Sequence, residues 1–226
     1  MIKAVVFDLD DTLISEKEYV KSGFKSISSI LSKEHNIDLN SVNDTINALF
    51  EEDSNNVFNR LLDKLNIKYD IEYIGYLIDE YRSHVPNITL YEDAKDILAY
   101  LRDVEIKLGM ITDGYKITQR NKLKVLDIED YFDCIVVTDE LGKEYWKPHR
   151  KPYEIIKKQL NLEYKEVMYV GDNINKDFVT ANKLGIYTVM ISRSEGIYSN
   201  IQKDNEYKAN KTIDNLNDLI KILQLV

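Results

Sequence analysis

The 226-residue chain is 44% hydrophobic and 31% charged, the balance of a folded protein rather than of a disordered or membrane-embedded one. Its net charge of −9 speaks against a broad nucleic-acid or acidic-membrane surface, since such partners need clustered Lys and Arg, while a small anion can still be held locally. One cysteine, Cys134, allows no internal disulfide, and the start Met1-Ile2-Lys3 reaches Asp8 without a secretory pattern. No run is long enough to span a bilayer, so a soluble, cytoplasmic protein is expected.

Short apolar runs at Ile2 to Leu9, Ile106 to Thr112, Cys134 to Thr138, Val167 to Gly171 and Tyr187 to Ile191 read as buried strands. From Ile106 onward each is separated from the next by a segment of helical periodicity. That alternation predicts a doubly wound, Rossmann-like α/β fold, with a parallel sheet covered by helices on both faces. Between Leu13 and Pro86 no strand pattern is found. Instead, Val20, Phe24, Ile27 and Leu31 form one helical stripe, Val57, Leu61 and Leu65 a second, and Ile71, Ile74, Ile78 and Tyr81 a third. The expected division is an α/β core of residues 1–14 and 88–226 and a small inserted helical unit of residues 15–87.

Ligands of an open parallel sheet bind beyond the carboxyl ends of its strands. The residues there are Asp8-Leu9-Asp10-Asp11-Thr12, Thr112-Asp113-Gly114, Lys147-Pro148, and Gly171-Asp172-Asn173 with Asp177. Asp8 and Asp10 stand two apart, so on an extended chain their carboxylates converge, which is costly without a cation. A magnesium ion with all-oxygen ligands, completed by Asp172, removes that cost. Thr112, Asp113 and Gly114 offer a hydroxyl and consecutive N–H groups to phosphate oxygens, and Lys147 offers an ammonium for developing phosphoryl charge. Asp177 is placed in the first turn of a helix ending near Gly185, in a supporting role. Each motif alone has a plainer reading as turn or loop chemistry; Asp11 is assigned only that. Their joint occurrence at separate strand ends is what favours a catalytic constellation.

These motifs resemble the haloacid dehalogenase superfamily, whose phosphatases carry an Asp-x-Asp-x-Thr loop, a Thr or Ser after the second strand, a Lys, and a late acidic pair. The resemblance covers nearly all of the core, and the insertion after the first motif is similar to the α-helical cap of one subgroup. It implies that Asp8 attacks phosphorus, that Asp10 serves as general acid and base, and that Thr112 and Lys147 grip the phosphoryl group. It further implies magnesium held by Asp8, the backbone carbonyl of Asp10 and Asp172, with Asp177 orienting Lys147 or a metal-bound water. The expected partner is a small phosphorylated metabolite. A departure is Asp113, where Asn is common in capped relatives.

A 2-haloacid dehalogenase shares the nucleophile but needs neither magnesium nor the second acid, so Asp10 weighs against it. A sugar-phosphate mutase and a non-catalytic phosphometabolite-binding module remain as alternatives. Glu16, Lys17, Tyr19 and Lys21, at the start of the insertion, are candidates for selecting the leaving group. His35, His84 and His149 have no partner constellation and are read as surface or structural residues.

Overall fold

The computed structural model describes residues 1–194 and 203–226. Its core is a six-stranded sheet formed by β1 (Ala4–Phe7), β2 (Lys107–Thr112), β3 (Cys134–Val137), β4 (Val167–Gly171), β5 (Tyr187–Ile191) and β6 (Lys211–Ile213). The spatial order is β3-β2-β1-β4-β5-β6, and every neighbouring pair is parallel. The chain thus winds outward from β1 in one direction as far as β3, then crosses back to β4 on the other side of β1. The strand order reverses between β1 and β4, and this is where an open sheet leaves a crevice at its carboxyl edge.

Every residue of β1 and β4 is buried, as expected for central strands covered on both faces. Ala4, Val6, Ile111, Val136 and Tyr169 point to one face, where they pack with Tyr153, Ile156 and Leu160 of α7 (Lys151–Leu160) and with Ala181 of α8 (Val179–Leu184). The other crossovers carry α5 (Glu92–Asp103), which packs on β2, and α6 (Lys116–Leu126), which packs on β3. A short α9 (Leu219–Leu223) closes the chain. Four of the strands anticipated from sequence recur to within one residue of their expected ends, and β1 is two residues shorter at each end than the apolar run that announces it. The sixth, Lys211–Ile213, has exposed Lys and Thr in its first two positions, so it lacks the buried apolar run that marks the others.

Contacts divide the chain into two compact units, residues 1–16 with 89–226, and residues 17–88. The two chain crossings are paired within the first unit, where Ile14 forms a bridge opposite Leu90 and Tyr91 N donates to Leu13 O at 2.9 Å. The second unit holds most of α1 (Glu16–His35), then α2 (Leu39–Glu52), α3 (Val57–Lys64) and α4 (Ile71–Ser83). Phe24, Ile27, Leu31, Val42, Ile46, Leu61, Ile74 and Leu77 form its core. Helix α2, not singled out by the sequence stripes, supplies Val42 and Ile46 to it. The stripe expected on α4 needs one correction: Ile71 is 81% exposed, because it is the first helical residue after the Asp70 cap, and Leu77 takes its place inside. Among the described residues, no helix is long and apolar enough to cross a membrane.

Candidate active site

The carboxyl ends of β1, β2 and β4 place Asp8, Thr112 and Asp172 immediately after Phe7, at the end of β2, and immediately after Gly171. Lys147 arrives from the loop between β3 and α7, across a cis peptide to Pro148. Its ammonium is completely buried and lies 2.9 Å from Asp8 Oδ1 and 2.8 Å from Asp177 Oδ1. The same nitrogen donates to the Tyr169 hydroxyl at 2.9 Å and to Ile111 O at 3.4 Å. Burial acts against that charge, but the carboxylates of Asp177 and Asp8 outweigh it and hold the lysine well above its ordinary value.

Asp177 is the hub behind this lysine. One of its oxygens accepts from Lys147 and from Tyr169 Oη at 3.2 Å, and the other accepts from Asn173 N at 2.8 Å. Its backbone carbonyl accepts from the buried Tyr153 hydroxyl at 3.0 Å. Asp177 lies ahead of α8 rather than in its first turn, since that helix begins only at Val179; the Gly185 terminus is as expected, with φ +80. The displacement has a local cause, because the Asn173 N–H draws the Asp177 side chain back over the loop leaving β4. Gly171 allows this closeness, as a Cβ there would stand 2.5 Å from Asp177 Oδ2.

Carboxylate oxygens of Asp8, Asp172 and Asp177 lie within 4.8 Å of one another, and all three residues are buried. Burial, opposed by Lys147, pushes Asp8 up to about 6. Burial together with the charges of Asp177 and Asp8 pushes Asp172 up to about 9. Crowded, buried carboxylates that resist ionisation in this way are the donor set a hard divalent cation satisfies.

Asp10 behaves differently from the expectation that its carboxylate converges with that of Asp8. The chain leaves the extended conformation here, with Asp11 at φ +50, and the Asp10 carboxylate turns to α6. There Lys122 Nζ lies 2.6 Å from its Oδ1 and Gln119 Nε2 donates to its Oδ2 at 2.9 Å. Gln119 also donates to Thr112 Oγ1. Neither α6 residue was anticipated from the sequence. The available signal was two long polar residues on the inward face of an amphipathic helix. Asp11 does serve as turn chemistry, accepting from Glu16 N at 2.9 Å at the start of α1.

Asp113 has a use that the sequence did not disclose. Its Oδ1 accepts from Thr138 Oγ1 at 2.8 Å and from Lys147 N at 3.1 Å, and its Oδ2 from Lys176 Nζ at 2.9 Å. It therefore ties the β2 loop to the Lys147 loop. Burial works upward on its carboxyl, but the ammoniums of Lys147 and Lys176 hold it below the ordinary value. Gly114 follows at φ +128, a conformation that suits glycine.

Arg193, just beyond β5, supports the first loop. Its guanidinium donates to Thr12 O and Asp93 Oδ2, each at 2.8 Å, and lies over the Tyr91 ring. Of the residues suggested to select a leaving group, Tyr19 is buried and donates to Tyr81 O at 3.2 Å inside the helical unit. It packs that unit. Of the histidines, His35 and His149 are exposed, contacting Tyr73 and Lys151 N, and His84 contacts Tyr81 O and Ser22 Oγ.

A family model described as haloacid dehalogenase-like hydrolase matches residues 5–191. Glyceraldehyde 3-phosphate phosphatase of Methanocaldococcus jannaschii is 33% identical over 229 aligned residues, covering 99% of this chain and 98% of the relative. Pyrophosphatase PpaX of Bacillus mycoides is 25% identical, with 100% and 98% covered. The crystal structure of a HAD phosphatase from Thermococcus onnurineus superposes with a TM-score of 0.64 at 28% identity, covering 98% of both chains. With this family match running from β1 to the end of β5 and including the acidic strand ends, the chain belongs to the haloacid dehalogenase-like hydrolases and is an enzyme of their phosphatase type.

Proposed function

We propose that the enzyme hydrolyses small phosphomonoesters, with magnesium, through an aspartyl phosphate formed on Asp8. The observation that carries this reading is the meeting of Asp8 with the buried Lys147 ammonium at 2.9 Å, beside two further buried carboxylates at the switch point of the sheet. A carboxylate held there is a nucleophile with a fixed cation next to it, which suits displacement at phosphorus.

In the first step an Asp8 oxygen forms a bond to phosphorus while the ester P–O bond breaks, and Asp10 gives its proton to the departing alkoxide. In the second, Asp10 takes a proton from water, whose oxygen attacks the same phosphorus and releases inorganic phosphate and free Asp8. Lys147 stays charged through both steps and stabilises the equatorial phosphoryl oxygens. Thr112 accepts from Gln119, so its own hydroxyl proton is available to a phosphoryl oxygen. Backbone N–H groups at Asp113 and Gly114 extend that grip. Asp8, Asp172 and the carbonyl of Asp10 are the proposed magnesium ligands, and the ion would supply positive charge against the phosphoryl oxygens. Both oxygens of Asp177 already accept hydrogen bonds from the protein, which favours its role as the residue that orients Lys147.

Glyceraldehyde 3-phosphate is the first substrate to test, because the relative that covers nearly the whole chain is named for it; pyrophosphate is the second. The decisive assay is phosphate release from these two, other sugar phosphates, nucleoside monophosphates and an aryl phosphate, with and without magnesium, beside Asp8→Asn. Magnesium-dependent release that vanishes in the variant is the expected result. Release that survives in Asp8→Asn would reject the nucleophile. A rearranged phosphate ester with no free phosphate would replace the phosphatase reading by a mutase one.

A further inference from the structure

The inward face of α6 carries Gln119, Lys122 and Leu123, all buried, and only the last is apolar. A helix packed on a sheet ordinarily places apolar side chains there, and a lysine with 3% side-chain exposure is costly to desolvate. Its compensation lies at Asp10. Lys122 and Gln119 stand one helical turn apart, and each gives a hydrogen to a different oxygen of that carboxylate, at 2.6 and 2.9 Å. Gln119 reaches Thr112 as well, so one amide spaces the Asp10 carboxylate from a hydroxyl at the end of β2.

Such an arrangement fixes both the direction and the rotation of a carboxylate. A group that must hand over a proton and take one back gains most from being held in one orientation, because proton transfer needs the heavy atoms within hydrogen-bond reach. A stability role alone explains the pair poorly, since a buried ion pair is frequently no more stabilising than apolar residues of the same volume. We propose that Gln119 and Lys122 are positioning residues for the acid/base chemistry of Asp10, holding its carboxylate in register with Thr112. The inference rests on the role given to Asp10 in the proposed function.

A double-mutant cycle on steady-state hydrolysis tests it, using Asp10→Asn, Lys122→Met and the combination, with glyceraldehyde 3-phosphate and an aryl phosphate as substrates. Lys122→Met is expected to lower kcat by about 10–10², below or at the lower end of the roughly 10²–10⁴ that a general acid–base group itself contributes, because Asp10 is still present but no longer held, with KM changed less than about threefold if the lysine acts through Asp10 rather than on bound substrate. In the Asp10→Asn background the same change should cost almost nothing further. Gln119→Met should behave likewise, and Lys122→Arg should recover part of the loss. Thermal melts of each variant separate misfolding from mispositioning, and Gln119→Met serves if Lys122→Met does not fold. Equal losses in both backgrounds, or a raised KM with kcat retained, would overturn the inference, the second by making Lys122 a substrate ligand. A wild-type enzyme that releases no phosphate from any compound would instead reject the phosphatase reading. A wild-type enzyme that is active while Asp10→Asn keeps full activity would reject the role of Asp10, and the positioning role with it.

Discussion

Replacing Lys147 by Met removes an ammonium that lies within hydrogen-bond distance of both Asp8 and Asp177. The substitution keeps much of the stem volume, so its effect is electrostatic. Three buried carboxylates, those of Asp8, Asp172 and Asp177, then share one site without that cation, and the Tyr169 hydroxyl loses a donor. Breaking a buried pair by deleting one partner costs about 3–5 kcal/mol. Against a typical total stability of about 5–15 kcal/mol, the loss is large. At roughly 2–4 °C per kcal/mol for a chain of this size it amounts to a fall in Tm of about 6–20 °C.

The pH dependence makes the reasoning refutable. In the wild type, Lys147 is held above its unfolded value, so its contribution is fully present below that value and is lost only as pH rises through the higher folded one. It is therefore constant across the neutral range. In Lys147→Met, Asp8 and Asp172, whose carboxyls burial already raises and Lys147 lowers, lose that opposing charge and bind protons more tightly in the folded than in the unfolded chain. Stability of the variant then falls as pH rises from the ordinary carboxylate range, so the gap to wild type should widen between pH 5 and pH 8. Urea unfolding of metal-free protein at both values measures this, and a second variant, Lys147→Met with Asp177→Asn, should recover part of the loss. A deficit below about 1 kcal/mol, or one that does not grow with pH, would mean that the buried charges are compensated by something other than Lys147.

Asp172, pushed up to about 9 by burial and then by Asp177 and Asp8, burdens the folded state between its unfolded value and about pH 9, so stability is lost as pH rises through that window. Asp172→Asn should therefore raise the Tm of metal-free protein at pH 8 while abolishing the Tm rise on adding magnesium; a preserved magnesium response would remove Asp172 from the ligand set. Gly171→Ala forces a Cβ to 2.5 Å from Asp177 Oδ2 and 3.1 Å from Tyr169 Cε1. Overpacking of that kind costs about 1–3 kcal/mol, and because Asp177 holds Lys147, kcat should fall as well, so unchanged kinetics would count against the coupling. Arg193→Ala leaves Asp93 buried without its guanidinium, and a loss of about 3–5 kcal/mol is expected by urea unfolding.

The sheet was legible because central parallel strands must be apolar throughout, as in Ala4–Phe7 and Val167–Gly171. β6 escaped notice because an edge strand needs no such run, and Lys211 and Thr212 are exposed. Helix α2 was passed over although it carries a stripe of its own, Val42 and Ile46 buried with Leu49 and Phe50 packed against the same core. Asp8, Thr112, Lys147 and Asp172 were legible because each directly follows or ends a strand, or precedes a proline, and position along the chain there fixes position in space. Ile71 was misplaced because periodicity cannot tell a helix's first residue from its second turn.

What the sequence withheld were partnerships across the fold. Nothing local to Asp10 distinguishes a carboxylate meeting Asp8 from one meeting a helix more than a hundred residues later, since the two outcomes differ only in what the crossover from β2 delivers. Helix α6 begins directly after the β2 loop, so its first turns stand beside the end of β1, the neighbour of β2 in the sheet. Polar residues at Gln119 and Lys122 would be anomalous anywhere else on that inward face. The same logic applies to Asp113, whose carboxylate looks like a departure from family pattern until Thr138, Lys147 and Lys176 are brought to it. In both cases a buried polar residue that breaks a helix or loop pattern identifies a fixed distance between two strand ends, and in the proposed reaction those distances determine whether the nucleophile, the acid and the phosphoryl-binding groups can act on one phosphorus.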